Sequence, residues 1–119
     1  MPIVTTIEGR IAQVAIDRPE KRNTLSSELC KDLAREFLEL NDDTRVRSIV
    51  LCGHNNVFCA GLDIEEQLAE NTPIFNEFQK VIDALDALSK PVVAAVSGPA
   101  VSQGAAMLYH CDLVFAGEH

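Results

Sequence analysis

A basic cluster near the amino terminus is the first group of side chains that could perform chemistry. Arg18, Lys21 and Arg22 lie close together, and no other part of this acidic chain carries cations at that density. Such a cluster could hold phosphate groups, because each side chain supplies positive charge and N–H donors. A solvated charged loop explains it equally well, so both interpretations stay open.

An acidic stretch later in the chain carries the candidate carboxylates. Asp63, Glu65 and Glu66 could act in proton transfer, a common role of a positioned carboxylate. For Glu65 and Glu66, a solvated acidic turn is the favoured interpretation. His110 is a further candidate proton carrier, but we interpret it as a packing or surface histidine because it lies past a short predicted helix.

The cysteines and the net charge exclude several classes of site. Cys30, Cys52, Cys59 and Cys111 are scattered without a C-x-x-C pair or any zinc-ligand spacing, so we predict four reduced, mostly buried thiols and no metal. The formal charge of −8 includes no basic stripe, which argues against a nucleic-acid partner.

The sequence shows neither a membrane span nor an export signal. No apolar run approaches the roughly 18 residues that a transmembrane helix needs, so no membrane partner is expected. The start, Met1-Pro2-Ile3-Val4, has neither the basic region nor the apolar run of a secretion signal. We therefore expect a single domain of ordinary globular composition in the cytoplasm.

The elements that must position these side chains begin with a hairpin and a helix. Alternating apolar residues over 4–8 and 11–16 predict two paired strands. Pro19 keeps the polar loop after them out of a helix. Apolar side chains then recur every fourth residue over 25–40, which predicts a helix that starts near Ser26.

The rest of the chain alternates buried strands with helices. Apolar runs predict strands at 49–52, 92–96 and 113–116, the last two covered on both faces. Thr72-Pro73 predicts the start of a second long helix, and small residues over 104–109 predict a short third helix. This order is typical of an α/β fold with right-handed crossovers.

The last predicted strand has nothing in the sequence to cover it. Only Gly117-Glu118-His119 follow, although a strand buried on both faces needs further structure around it. We therefore expect a truncated piece of a larger domain, prone on its own to associate or to be partly molten.

Three segments, taken in order, resemble those of the crotonase superfamily, which comprises hydratases, isomerases, dehalogenases and relatives acting on acyl-CoA thioesters. They are residues 18–25 (RPEKRNTL), 58–64 (FCAGLDI) and 90–101 (KPVVAAVSGPAV), with Cys111-Asp112-Leu113-Val114 after them. The resemblance implies a crotonase-like (ClpP/crotonase) α/β fold, a truncated spiral of β-β-α units. Residues 1–119 would then be the amino-terminal part of that domain.

The resemblance also implies how the thioester would be held. In this family two backbone N–H groups bind the thioester oxygen, and the matching positions here are Leu62 and Gln103. Such an oxyanion hole would stabilise an enolate by about 3–4 kcal/mol for each donor. Gly61, Gly98 and Gly104 would allow close backbone approach, and Gly61 and Gly104 would line the substrate site.

The remainder of the substrate is expected along the same loops. By resemblance, Ala60, Asp63 and Ile64 would lie along the pantetheine and adenine end of coenzyme A, with Lys21 or Arg22 near its phosphates. Coenzyme A is part of the substrate, so no separate cofactor is implied. The family's usual assembly implies a homo-oligomer, a trimer or hexamer.

The chain departs from the hydratase pattern at the expected acid–base position. That position is Ala106, and a methyl group cannot carry a proton. Ser102 and Gln103 also replace glycines usual in hydratases, and we expect Ser102 to cap the short helix. The segment after Gly98 is closer to isomerases, which use one carboxylate from a later segment. We therefore favour an isomerase-like enzyme, with a non-catalytic acyl-CoA-binding or protein-interaction module as the alternative.

Overall fold

A single five-stranded sheet organises the chain in the computed structural model, which describes residues 2–70 and 74–117. The strands are β1 (Ile3–Glu8), β2 (Ile11–Ile16), β3 (Ser48–Gly53), β4 (Val92–Val96) and β5 (Leu113–Ala116). Neighbours in the sheet are neighbours in the chain, with β1 and β2 antiparallel and the other pairs parallel. The predicted hairpin and the three later strands are confirmed.

Helices connect the parallel strands. They are α1 (Ser27–Asp42), α2 (Ile64–Glu70), α3 (Ile74–Ala87) and the short α4 (Gln103–Ala106), with 3₁₀ turns at Pro19–Lys21 and Met107–His110. Ser26 begins α1 as predicted, because its Oγ accepts a hydrogen bond from the N–H of Leu29 at 3.0 Å. The predicted helix start at Thr72-Pro73 lies outside the described residues.

Helix α2 was not predicted. The sequence favours a solvated acidic turn at Glu65 and Glu66, but Asp63 caps a helix there by accepting a hydrogen bond from the N–H of Glu66 at 3.1 Å. Glu65 and Glu66 lie in its first turn, where negative charge is favourable. The acidic residues from Asp63 to Glu66 thus mark the amino-terminal end of a helix.

The hydrophobic core lies between one face of the sheet and the helices. Helices α1 and α3 connect successive parallel strands and pack directly against each other, so they lie over the same face of the sheet. The largest fully buried side chains include Phe37, Phe58, Ile16, Leu25, Leu29, Leu33, Ile49, Leu51, Ile74 and Met107. No helix among the described residues is long and apolar enough to cross a bilayer.

The opposite face of the sheet is largely open, and β5 is open on both faces. Leu113 and Phe115 are 57% and 65% exposed on one face of β5, and Val114 is 44% exposed on the other. Val93, which pairs with Leu113, is only partly buried. The prediction that β5 is buried is therefore wrong, and β4 is covered on its helix-facing side alone. An apolar sequence indicates that a strand is suited to burial. Within residues 2–70 and 74–117, however, no element packs over the open faces of β5.

The open face around β5 should drive association of the 119-residue chain. We expect the association constant of the variant Leu113→Thr/Phe115→Thr to be lower than that of wild type by a factor of about ten or more, because two large exposed apolar side chains are lost. Sedimentation equilibrium over a range of concentrations measures this. Tyr109→Thr is the matched control, since Tyr109 is 88% exposed but lies outside the sheet. A wild-type chain that stays monomeric throughout would contradict the prediction.

Candidate functional site

Asn23 ties the loop before α1 to the turn after β3. Its side chain is completely buried, and its Oδ1 accepts a hydrogen bond from the N–H of Arg18 at 2.8 Å. Its Nδ2 donates to the carbonyl oxygens of His54 at 3.0 Å and Val57 at 2.8 Å. The residue has a φ of 58°, in the left-handed region that asparagine tolerates better than most residues. The amide thereby fixes the shape of the loop that leads to Leu25.

Arg18 joins the same loop to the segment after Leu62. Its guanidinium donates from Nη1 to the carbonyl oxygen of Thr24 at 2.9 Å and from Nη2 to Oδ2 of Asp63 at 3.1 Å. The Arg18 and Asp63 side chains are only 17% and 8% exposed. Arg18 is therefore committed to contacts within the protein, whereas the sequence grouped it with the possible phosphate ligands.

Leu62 is held between two backbone hydrogen bonds that both involve Leu25. The N–H of Leu25 donates to the carbonyl oxygen of Gly61, and the N–H of Asp63 donates to the carbonyl oxygen of Leu25, each at 2.8 Å. In a parallel bridge of this kind, the intervening residue directs its own N–H away from the partner. Among the described residues, no acceptor takes the N–H of Leu62.

The other edge of this segment contacts the chain that leads into α4. Cys59 pairs with Ala100, and the N–H of Val101 donates to the carbonyl oxygen of Cys59 at 2.9 Å. A Cβ atom at Gly104 would lie only 2.2 Å from that same oxygen, so any larger residue would push α4 away. Glycine at this position is thus required for close contact, as predicted.

Gly61 and the start of α4 face each other across this contact. Gly61 has a φ of 102°, which side-chain-bearing residues rarely adopt. A Cβ atom there would lie 3.4 Å from Cβ of Ser102 and 3.9 Å from the backbone nitrogen of Gln103. The N–H of Gln103 has no acceptor among the described residues. The fold thus brings two segments together, each with an unused backbone donor.

Ser102 adopts a strained backbone at the entrance to α4. Its φ of 54° and ψ of −119° belong to a region that costs a residue with a side chain about 1–3 kcal/mol. The prediction that its hydroxyl caps α4 is wrong: no side-chain cap forms, and the Oγ donates to Oε1 of Gln103 at 2.6 Å. Glycine would meet the backbone requirement without strain.

A surface cleft of about 380 Å³ collects most of the predicted ligand-binding residues. Its lining consists of Lys21, Arg22, Leu62, Asp63 and Ile64 with Glu20, Thr24 and Glu65. Ile64 is 49% exposed and Ala60 is partly exposed, so both can meet a ligand. Asp63 lies in the lining, but its carboxylate is occupied by Arg18 and the capped end of α2.

Lys21, Glu65 and Glu66 each contact another group within the protein. Lys21 Nζ lies 3.6 Å from Oε2 of Glu65, in an exposed pair of little energetic consequence. Glu66 accepts a hydrogen bond at Oε1 from the N–H of Ser27 at 3.1 Å, so it joins α2 to the start of α1. The prediction of a solvent-exposed side chain therefore holds for Glu65 and is wrong for Glu66.

The expected acid–base position offers no proton carrier. Ala106 is partly buried in α4. His110 lies with its Nδ1 2.7 Å from Oδ1 of Asp86, which is 57% exposed, in agreement with a surface role. No group of three or more His, Cys, Asp or Glu side chains within the described ranges could hold a metal ion.

Cys59 lies two residues before Gly61 in the chain, and its buried thiol is in the protonated form at neutral pH. Burial raises the pKa of its thiol to about 11, and burial together with the neighbouring Cys59 raises the pKa of Cys30 to about 12. Both residues are buried, whereas Cys52 and Cys111 are partly exposed. The thiols therefore serve packing rather than covalent chemistry.

Comparison with known proteins gives a consistent result. The family model described as enoyl-CoA hydratase/isomerase matches residues 6–119. The enoyl-CoA hydratase AKT6-1 of Alternaria alternata is 37% identical over 102 residues, which cover 85% of this chain and 34% of that protein. The short-chain-enoyl-CoA hydratase of Clostridium acetobutylicum is 34% identical, covering 98% and 47% of the two chains.

Solved structures agree over the whole chain. OdaA of Pseudomonas aeruginosa superimposes with a TM-score of 0.91 at 34% identity, covering 99% of this chain and 48% of that one. An enoyl-CoA hydratase/carnithine racemase of Magnetospirillum magneticum gives a TM-score of 0.90 at 28% identity, with 98% and 46% coverage. The chain thus spans about half the length of these solved structures.

Removal of the Asn23 amide should destabilise the protein strongly. We expect Asn23→Ala to lower the free energy of unfolding by about 3–4 kcal/mol, because buried hydrogen bonds are lost and alanine is strained at positive φ. Urea titration followed by circular dichroism measures the change. Asn76→Ala, at an exposed position of α3, should stay within about 0.5 kcal/mol of wild type. Equal effects of the two variants would contradict this role of Asn23.

The buried thiols should make stability fall at alkaline pH. The pKa of Cys59 is raised from 9.0 to about 11 on folding, so its contribution is complete below pH 9 and is lost as the pH rises towards 11. We expect Cys59→Ala to reduce this alkaline loss by roughly 1 kcal/mol per pH unit, as measured by urea unfolding under reducing conditions. Cys52→Ala should change the slope less. An unchanged slope in Cys59→Ala would be the contrary result.

Proposed function

The chain belongs to the enoyl-CoA hydratase/isomerase family, and from that membership we propose that it binds an acyl-CoA thioester and stabilises its enolate. The backbone N–H groups of Leu62 and Gln103 form the proposed oxyanion hole. The observation that carries the proposal is the contact between Gly61 and the start of α4, where a Cβ atom at Gly61 would lie 3.9 Å from the Gln103 nitrogen.

The proposed hole is rigid before the substrate arrives. The hydrogen bonds of Leu25 hold the segment that carries Leu62, and the tight contact of Gly104 with Cys59 holds the segment that carries Gln103. Preorganised donors need no rearrangement when negative charge develops on the thioester oxygen, which is the basis of their large effect. Because both donors are backbone groups, unusual side chains at these positions are compatible with the chemistry.

The cleft beside Leu62 supports binding of the coenzyme A portion. Lys21 and Arg22 are exposed cations on its rim, and an anionic phosphate could displace the weak contact between Lys21 and Glu65. Ile64 offers apolar surface to the pantetheine chain, while the carboxylate of Asp63 stays bound to Arg18 at the inner side of the cleft. Attraction for a polyanion must be this local, because the whole chain carries a net charge of −8.

Ala106 favours an isomerase over a hydratase. Hydration needs one group to deliver water and another to handle the proton, whereas a double-bond shift needs one base that removes a proton and returns it. We propose that this base comes from a later segment, beyond His119. The same alanine favours a second candidate, a non-catalytic module that binds acyl-CoA or acts through protein contacts. In either case we propose a cytoplasmic homo-oligomer, a trimer or hexamer, with no separate cofactor.

Two measurements test the proposal. The first is the affinity for a saturated acyl-CoA by calorimetry, where Lys21→Met/Arg22→Met should weaken binding about tenfold through loss of phosphate contacts. Lys31→Met, an exposed cation on α1, is the control. If acyl-CoA neither binds nor raises the melting temperature, the proposed ligand class is wrong.

The second measurement is turnover of 3-enoyl-CoA and 2-enoyl-CoA, followed separately, by the full-length gene product, which would also carry the proposed base. We expect conversion of the 3-enoyl to the 2-enoyl ester without addition of water. Rapid hydration would contradict the isomerase preference, and tight binding without turnover of either ester would support the non-catalytic module.

A further inference from the structure

We propose that Arg18 is a positioning residue of the oxyanion hole, fixing the Leu62 N–H and neutralising the carboxylate beside it. The inference rests on the proposed function, and it assigns Arg18 a task different from phosphate binding. Nothing in the local sequence indicates this task, because Arg18 and Asp63 are far apart in the chain.

The geometry places Arg18 across the pair of residues on which the hole depends. Its Nη1 contacts the carbonyl oxygen of Thr24, the residue before Leu25, at 2.9 Å. Its Nη2 contacts Oδ2 of Asp63, the residue after Leu62, at 3.1 Å. One planar guanidinium therefore spans both sides of the Leu25–Leu62 bridge and resists sliding of one segment past the other.

The charge of Asp63 makes the same arginine necessary for electrostatic reasons. Asp63 follows the proposed donor directly and is 7% exposed, so water screens its carboxylate poorly. The carboxylate cannot swing away, because its Oδ1 accepts the hydrogen bond from the N–H of Glu66 that caps α2. Without Arg18, a buried negative charge would oppose the negative charge that the hole must accept.

Burial separates Arg18 from the other members of the basic cluster. The Arg18 side chain is 17% exposed, whereas that of Lys21 is 45% exposed and Arg22 is an exposed residue. Lys21 and Arg22 also line the cleft beside Leu62, whereas Arg18 lines, with Lys21, a neighbouring cleft formed with Ser26 and Asp63. The cluster therefore divides into two cations available to phosphate and one that acts within the protein.

The experiment reads polarisation of the thioester directly. Crotonyl-CoA labelled with ¹³C at the thioester carbonyl is bound to the protein, and isotope-edited infrared spectroscopy gives its stretching frequency. We expect wild type to lower this frequency relative to the ester in water, and Arg18→Met to lose half or more of the shift. Affinity should fall less than threefold, because phosphate contacts remain with Lys21 and Arg22.

Further variants separate position from charge. Arg18→Lys keeps the charge but cannot contact both Thr24 and Asp63, so it should lose part of the shift. Arg18→Met/Asp63→Asn removes the opposing charge and should recover part of what Arg18→Met loses. Arg45→Met, which breaks the exposed pair with Asp43 at 2.7 Å, is the control for loss of an ion pair and should keep the full shift.

The outcomes distinguish this inference from the function beneath it. A wild-type protein that binds crotonyl-CoA without a frequency shift, or does not bind it, overturns both. A wild-type shift that persists in folded Arg18→Met overturns the positioning role and leaves the proposed hole intact. Should Arg18→Met fail to fold, Arg18→Lys and the double variant decide the matter: full shifts in both overturn the inference, and a reduced shift in Arg18→Lys supports it.

Discussion

Two backbone hydrogen bonds between Leu25 and the segment 61–63 fix the region on which the candidate site is built. The two bonds involve Gly61 and Asp63, the neighbours of Leu62 on either side. They therefore restrain the orientation of the Leu62 N–H, which has no acceptor among the described residues. Leu25 itself is completely buried at the entrance to α1. A contact that restrains the loop backbone thus coincides with an unused donor, an arrangement that suits a site needing a donor of fixed orientation.

The loops around this pair are specified by a small number of buried polar side chains. Asn23 fixes one loop to the turn after β3, and Arg18 fixes it to the start of α2. Glycine is required where backbones touch, at Gly61 for its positive φ and at Gly104 for the approach of α4 to Cys59. Hydrophobic packing therefore builds the sheet and its helices, while amide, guanidinium and glycine determine where the loop backbones lie.

Local periodicity was sufficient to predict much of the fold. The hairpin, the helix after Ser26 and the strands after it follow from patterns contained within single elements, and the crotonase-like α/β fold implied by the resemblance is confirmed. Helix α2 escaped prediction because its stability depends on the Asp63 cap and on the contact between Glu66 and Ser27. The exposure of β5 escaped prediction because apolar character does not say which surface is covered.

The site was predictable only in part, for a related reason. Resemblance to family segments identified the cleft residues near Leu62, and the structure brings Lys21, Arg22, Asp63 and Ile64 together there. The true partner of Arg18 could not be read from neighbouring residues, because that contact exists only after the chain has folded.

The strand order carries a consequence for how the molecule comes into being. From β2 to β5, each strand of the sheet pairs with the strand synthesised just before it. When a strand leaves the ribosome, its neighbour is already outside, so the sheet can grow by addition at one edge while translation continues. The strands would then join the sheet in the order in which they are synthesised, and the growing edge would always be the strand synthesised last.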